Sequence, residues 1–350
     1  MPLDTETRIR AAWQGRISGC QLGKPIELLS MRHGHEALAD YLRRADAMPL
    51  RDYVPDLGDE RVDARCCRDR LVRAEADDDL DYSLLAVELL EQHGLELDTV
   101  DVARAWLLRM PAARTYTAER AAYSTLLARG AEWFPEGADP GFDLAECADN
   151  PYHEWIGAQI RADVYGWVLP GRPVEAAALA ERDARLSHRG AGVDGARFVA
   201  ALGAAVAVSD LDHALDSALA LLDDGGRAAA AVRLGWELAG DADGGAAIRQ
   251  AYDGMSPVHT VNNLALVVWA LLSHPDDFGA AIGDVVAAGL DTDCNGATVG
   301  ALWGLHQGEV PAAWTEPWND RVAFSLAGVP ELGLDELVER TVTLVDRLAE

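Results

Sequence analysis

The spacing of the apolar residues constrains this chain more than anything else in it. They recur at three- and four-residue intervals almost everywhere, as in Leu80, Leu84 and Val87 with Leu85 and Leu89 beside them. That period marks one face of an α-helix, which Gly94 closes. The same reading predicts helices over 98–110, 117–128, 155–168, 173–186, 195–208, 211–222, 259–272, 276–288, 293–306 and 333–349. Alanine is abundant in these segments and favours helix and close packing. Val/Ile/Thr alternation bounded by turns is missing, so no sheet is expected. Irregular chain is expected over 47–70, 132–153 and 187–194. No repeat of solenoid period and no long Ser/Gly linker divides the sequence. The expectation is an all-α fold in a single compact multi-helix domain over residues 1–350.

Composition narrows the partners. The 350 residues are 49% hydrophobic, ample for a core, while 30 Lys and Arg face 58 Asp and Glu for a net charge of -28. Such a surface repels phosphate backbones and anionic headgroups, so neither nucleic acid nor a membrane is expected as a partner. It suits cations, although solubility alone accounts for the charge equally well. The cysteines are Cys20, Cys66, Cys67, Cys147 and Cys294, an odd number without CxxC spacing. That favours a reduced, cytoplasmic compartment over a disulfide framework. The opening MPLDTETRIR has no apolar signal core, and no uninterrupted apolar run reaches about 18 residues.

Two acidic turns carry the chemistry. Asp77, Asp78, Asp79 and Asp81 crowd the start of a strongly apolar helix. Adjacent carboxylates repel, and a cation among them relieves that cost. Helix capping is the competing explanation, but one cap needs only one Asp. In GLDTDCNGATVGALWG the pattern returns: Gly289 ends a helix, Asp291 and Asp293 occupy the turn, and an Ala/Gly-rich helix follows. Carboxylates two residues apart in a turn can converge on one ion. Oxygen-only ligands point to a hard cation, magnesium before manganese or calcium, and away from zinc. GCQLGKP lacks both the spacing of a P-loop and a preceding strand. Trp13, Trp155, Trp167 and Trp303 read as core more readily than as stacking platforms.

Five segments occur in a telling order. GRISGCQLGKPIE is a Gly-rich opening that ends in Glu27, and DDDLDYSLLAVELL is the first acidic helix start. WIGAQIRADVYG follows, then LSHRGAGVDGARFVAAL, and last GLDTDCNGATVGAL. Together they resemble the ADP-ribosylglycohydrolase family through most of the chain. The resemblance implies a mainly helical fold and two Mg2+ ions with Asp77, Asp78, Asp79, Asp291 and Asp293 as ligands. It implies catalytic roles for Glu27, Asp79 and Asp293, with Glu27 as the assisting base. It places substrate contacts at Gly157, Gln159, Arg161 and His188, the first three in the segment that cradles a diphosphate.

Each of these residues has a plainer reading. Glu27, after Gly23 and Pro25, reads as a loop acid and His188 as an exposed loop histidine. Gly157 allows close backbone approach to phosphate. Arg161 either offsets diphosphate charge or makes a surface ion pair. Two positions depart from the family. Asp77 stands where Thr is usual, and Cys294 stands where a Thr or Ser ligand is usual. A thiol is a poor magnesium ligand, so the second ion is weakened unless Asn295 helps. Such changes mark a divergent branch.

The implied reaction is magnesium-dependent hydrolysis of an N- or O-ribosyl bond in an ADP-ribosylated or small-molecule substrate. Two alternatives stand beside it. One is a hydrolase or lyase acting on a small ribosylated metabolite or nucleotide. The other is a non-enzymatic scaffold descended from the family, against which the intact aspartates argue.

Overall fold

The computed structural model describes residues 3–349 and contains sixteen α-helices among them. In chain order these are α1 (Thr5–Gly23), α2 (Glu27–Arg44), α3 (Asp78–His93), α4 (Thr99–Arg109), α5 (Thr117–Arg129), α6 (Asp163–Trp167), α7 (Pro173–Ala184) and α8 (Ala191–Val206). Then follow α9 (Leu211–Leu219), α10 (Arg227–Glu237), α11 (Gly244–Ala251), α12 (Thr260–Ser273), α13 (Phe278–Ala287), α14 (Thr292–Gln307), α15 (Ala312–Thr315) and α16 (Leu334–Ala349). Their contacts gather into two compact units, each drawn from several stretches of chain. The first comprises the described residues up to Glu75 with Asp223–Ala323 and Leu332–Glu339. The second comprises Ala76–Leu222, Phe324–Glu331 and the residues from Arg340 onward.

The all-α expectation holds, with corrections. Two three-residue strands, β1 (Arg321–Ala323) and β2 (Glu331–Gly333), pair into a small ribbon where no sheet was expected. Five helices, α1, α2, α10, α11 and the four-residue α15, lack a counterpart among the predicted segments. α1 is buried on nearly every side from Ala11 to Gly23, and Arg16, Ser18, Gln21 and three glycines among those residues break up its apolar pattern. α2 is kinked at Gly34, whose φ of 80° is left-handed and interrupts the helical pattern. Glu27, read as a loop acid, is the first residue of α2, behind a 3-10 turn over Lys24–Ile26. The segment 155–168, read as one helix, is a 3-10 turn over Ile156–Arg161 followed by the short α6.

In the first unit the decisive packing is α1 against α14, and it is antiparallel. Gly15 lies on Gly300, Gly19 on Gly296, Gly23 on Thr292 and Gly304 on Ala11, and a Cβ at any of these glycines would collide with the opposite backbone. Glycines at four-residue spacing on both helices let the two backbones touch. The end of α1 therefore lies against the start of α14. There the Thr292 hydroxyl donates to the Gly23 carbonyl at 2.9 Å. Between α13 and α14 the chain turns through two left-handed residues, Gly289 at φ 85° and Leu290 at φ 63°. A non-glycine residue in that region is strained, and the Ser30 hydroxyl of α2 holds it by donating to the Leu290 carbonyl at 2.8 Å.

In the second unit α8 is apolar and buried on almost every side, and Gly166 of α6 lets that helix sit on the α8 backbone at Ala200. Of the four tryptophans assigned to the core, Trp13, Trp167 and Trp303 are buried. Trp155 is half-buried and meets Tyr152 edge-on with ring centroids 4.7 Å apart. All five cysteines are buried thiols. No helix among the described residues is long and apolar enough to cross a membrane.

Candidate metal centre

In the first unit the helix pair delivers three carboxylates to one place. Glu27, Asp291 and Asp293 each offer an oxygen, and these oxygens lie within 4.8 Å of one another. Asp291 is 4% exposed and Asp293 2%, while Glu27 is half-buried. Asp291 occupies the N-cap position of α14, yet its carboxylate accepts no capping bond. Its Oδ1 is buried with no hydrogen-bond partner among the described residues. Burial, then the charges of Asp293 and Glu27, push its carboxyl well above the usual carboxylate range, while a bond from the Cys294 thiol opposes them. A cation among the three would reverse that cost, because it replaces mutual repulsion with attraction. The donors are hard oxygens, which match magnesium, calcium or manganese.

In the second unit Asp77, Asp78 and Asp79 form another such group, again with oxygens within 4.8 Å. Here capping is real: Asp77 accepts from the backbone N–H of Asp79 at 3.0 Å. Asp79 has no exposed surface, whereas Asp78 is half-buried. Asp81 is engaged elsewhere, accepting from the backbone N–H of Ser325 at 2.7 Å.

A profile of the ADP-ribosylglycohydrolase family matches residues 1–348. The chain belongs to this glycohydrolase family. A solved structure described as an ADP-ribosylglycohydrolase-related protein complex is similar in fold, with a TM-score of 0.61 and 20% sequence identity over 99% of both chains. No curated protein sequence matches the chain.

In the second unit the segment 156–161 is built around a buried cation of the protein itself. Arg161 is 1% exposed, and all five of its N–H groups are taken. Nε donates to Asp183 at 2.5 Å; Nη1 donates to Glu119 at 2.7 Å and to the Gly157 carbonyl at 3.2 Å. Nη2 donates to the Asp183 carbonyl at 3.3 Å and to Ser187 Oγ at 3.0 Å. The guanidinium lies 5.6 Å from the Tyr82 ring centre and 5.1 Å from that of Trp106. Burial would lower its pKa, but Asp183 and Glu119 outweigh that and raise it. The alternative of a surface ion pair is thereby corrected to a buried one.

Gly157 touches the same group, since a Cβ there would collide with the Glu119 carboxylate. His188, read as exposed, has no exposed surface. Ser187 Oγ accepts from Arg161 and shares a hydrogen bond of 2.8 Å with His188 Nδ1. Burial first, then the Arg161 charge, hold the His188 pKa well below the usual value. Gln159 has no exposed surface, and neither of its amide atoms has a hydrogen-bond partner among the described residues.

Several residues that shape these groups were not singled out from sequence. Glu119 is the one acid of α5 and Asp183 one of three in the alanine-rich α7, and Asn262 and Asn263 interrupt the apolar run of α12. A polar residue on an otherwise apolar face was the available signal.

Proposed function

We propose that this protein hydrolyses an ADP-ribosyl bond, N- or O-linked, with Mg2+ held by its acidic clusters. The observation that supports the reading is the Asp291 carboxylate, which is buried, released from capping, and crowded by Asp293 and Glu27. Asp291 and Asp293 would hold one ion, and Asp77, Asp78 and Asp79 a second, with Asp79 and Asp293 most deeply committed because they are the most buried of their groups. A divalent ion bound there supplies a Lewis acid for ribose oxygens and water. Glu27 is the assisting base, since it is the least buried of its three-acid group and can exchange a proton with water.

Gly157, Gln159 and His188 are the proposed substrate contacts. The unpartnered amide of Gln159 can both donate to and accept from a polar ligand. Arg161 has no N–H left to offer, so its proposed part is to hold the segment 156–161 in shape for the diphosphate. The test is a screen of ADP-ribosylated protein, ADP-ribose conjugates and free nucleosides, each with magnesium and with chelator. Magnesium-dependent release of ADP-ribose from the first two is expected. Turnover of nucleosides alone would move the reading to a small ribosylated metabolite.

A further inference from the structure

Asn263 of α12 is fully buried, and its amide is fixed in one sense. Its Nδ2 donates to the carbonyls of Pro257 and His259, both at 2.8 Å. Carbonyls only accept, so the nitrogen must face them and Oδ1 must face the other way. There Oδ1 accepts from the backbone N–H of Asp291 at 3.2 Å and from Asn295 Nδ2 at 2.7 Å. The polarity passes on: Asn295 must present its nitrogen to Asn263, which turns its own oxygen elsewhere. That oxygen is buried in a residue with no exposed surface and has no hydrogen-bond partner among the described residues.

Asp291 Oδ1 is in the same condition one helical turn earlier. The backbone N–H of Asn295 donates to the Asp291 carbonyl at 3.1 Å, so the two residues open the first turn of α14. Asn295 thus follows the N-cap Asp291 by one turn, which puts both side chains at the same end of the helix. Two buried, unpartnered oxygens at one helix start are a cost that a cation removes.

We propose that Asn295 Oδ1 is a further oxygen ligand to the divalent cation held by Asp291 and Asp293, and that Asn263 is the positioning residue that sets its orientation. This rests on the metal reading of the acidic cluster. An amide oxygen adds a hard donor without adding charge to an already crowded acidic group.

Manganese binding to the full chain, read from the electron paramagnetic resonance signal of the free ion, tests it beside melting temperatures in chelator. In Asn295→Leu the manganese Kd is expected to rise about tenfold. Its melting temperature in chelator is expected to stay level or rise, because one of the two unpartnered buried oxygens is gone. In Asn263→Ala the Kd also rises, since the Asn295 amide is then free to turn. Asn295→Ala gives the same readout should leucine not be accommodated. An unchanged Kd in Asn295→Leu and Asn295→Ala, with manganese bound by the wild type, overturns the proposal alone. A wild type that binds no manganese removes the metal reading itself, and this proposal with it.

Discussion

Thr292 donates its hydroxyl to the carbonyl of Gly23 at 2.9 Å, between the last residue of α1 and the first of α14. Four residues beyond Gly23 stands Glu27, and on either side of Thr292 stand Asp291 and Asp293. The bond thus ties together the two pieces of chain that supply the acidic group. It lies at the end of the glycine ladder, where the backbones are closest.

The ladder makes a stability prediction. In Gly19→Val the new side chain would meet the backbone at Gly296, which cannot step aside as a flexible side chain can. Overpacking commonly costs about 1–3 kcal/mol, and contact with backbone puts this variant at the upper end or beyond. Gly225→Ala, where nothing lies within 4 Å of the added Cβ, is the control. Denaturant midpoints should fall sharply in the first and stay level in the second. A Gly19→Val protein as stable as the wild type would show that the helices stand further apart.

Arg161 makes a second. Replacing it by Leu leaves Glu119 and Asp183 buried without their cation. Breaking a buried ion pair from one side costs about 3–5 kcal/mol, so Arg161→Leu should unfold at much lower denaturant. If the variant keeps wild-type stability and loses only affinity for ADP-ribose, the guanidinium serves the ligand and not the segment.

His188 gives a pH dependence. Its imidazole is buried and neutral, with its pKa lowered first by burial and then by Arg161. The unfolded chain protonates this histidine near its ordinary pKa of 6.5, whereas the folded chain resists. Its contribution to stability is therefore present above pH 6.5 and lost as pH falls toward the lowered folded value. Denaturation in chelator should show His188→Gln losing less stability than the wild type on going from neutral to mildly acidic pH. Parallel losses in both proteins would rule out His188 as the sensitive group.

Cys294 is 6% exposed, and its thiol bonds to Asp291. Thr at this position keeps a similar size and offers a hard hydroxyl oxygen. The magnesium concentration for half-maximal activity should fall in Cys294→Thr. An unchanged magnesium titration would remove the residue from the site.

The sequence was most informative where one signal had one cause. The apolar period marked helices with one solvated face, such as α4 and α9, and the two Asp turns marked both acidic groups. α1 escaped because the polar Arg16, Ser18 and Gln21 stand among its buried residues, and because its glycines, which serve contact with α14, look like breakers. Glu27 was found but misplaced, since Pro25 opens a 3-10 turn that runs into α2 rather than a loop. Arg161 was found as a cation, but its partners Glu119 and Asp183 lie 42 and 22 residues away along the chain, a distance no local pattern bridges. The amide relay through Asn263 depends on which way two side chains point, and only the folded backbone determines that.

The claim on which the rest depends is that the acidic groups hold a divalent cation. Thermal melting of the wild type and of Asp291→Ala, each in magnesium and in chelator, tests it most directly. An ion that binds only the folded chain stabilises it by about 2.7 kcal/mol at a hundredfold excess over its Kd. Magnesium should therefore raise the melting temperature of the wild type, and Asp291→Ala should lose most of that rise while melting no lower in chelator. Superimposable wild-type curves in magnesium and in chelator would contradict the account.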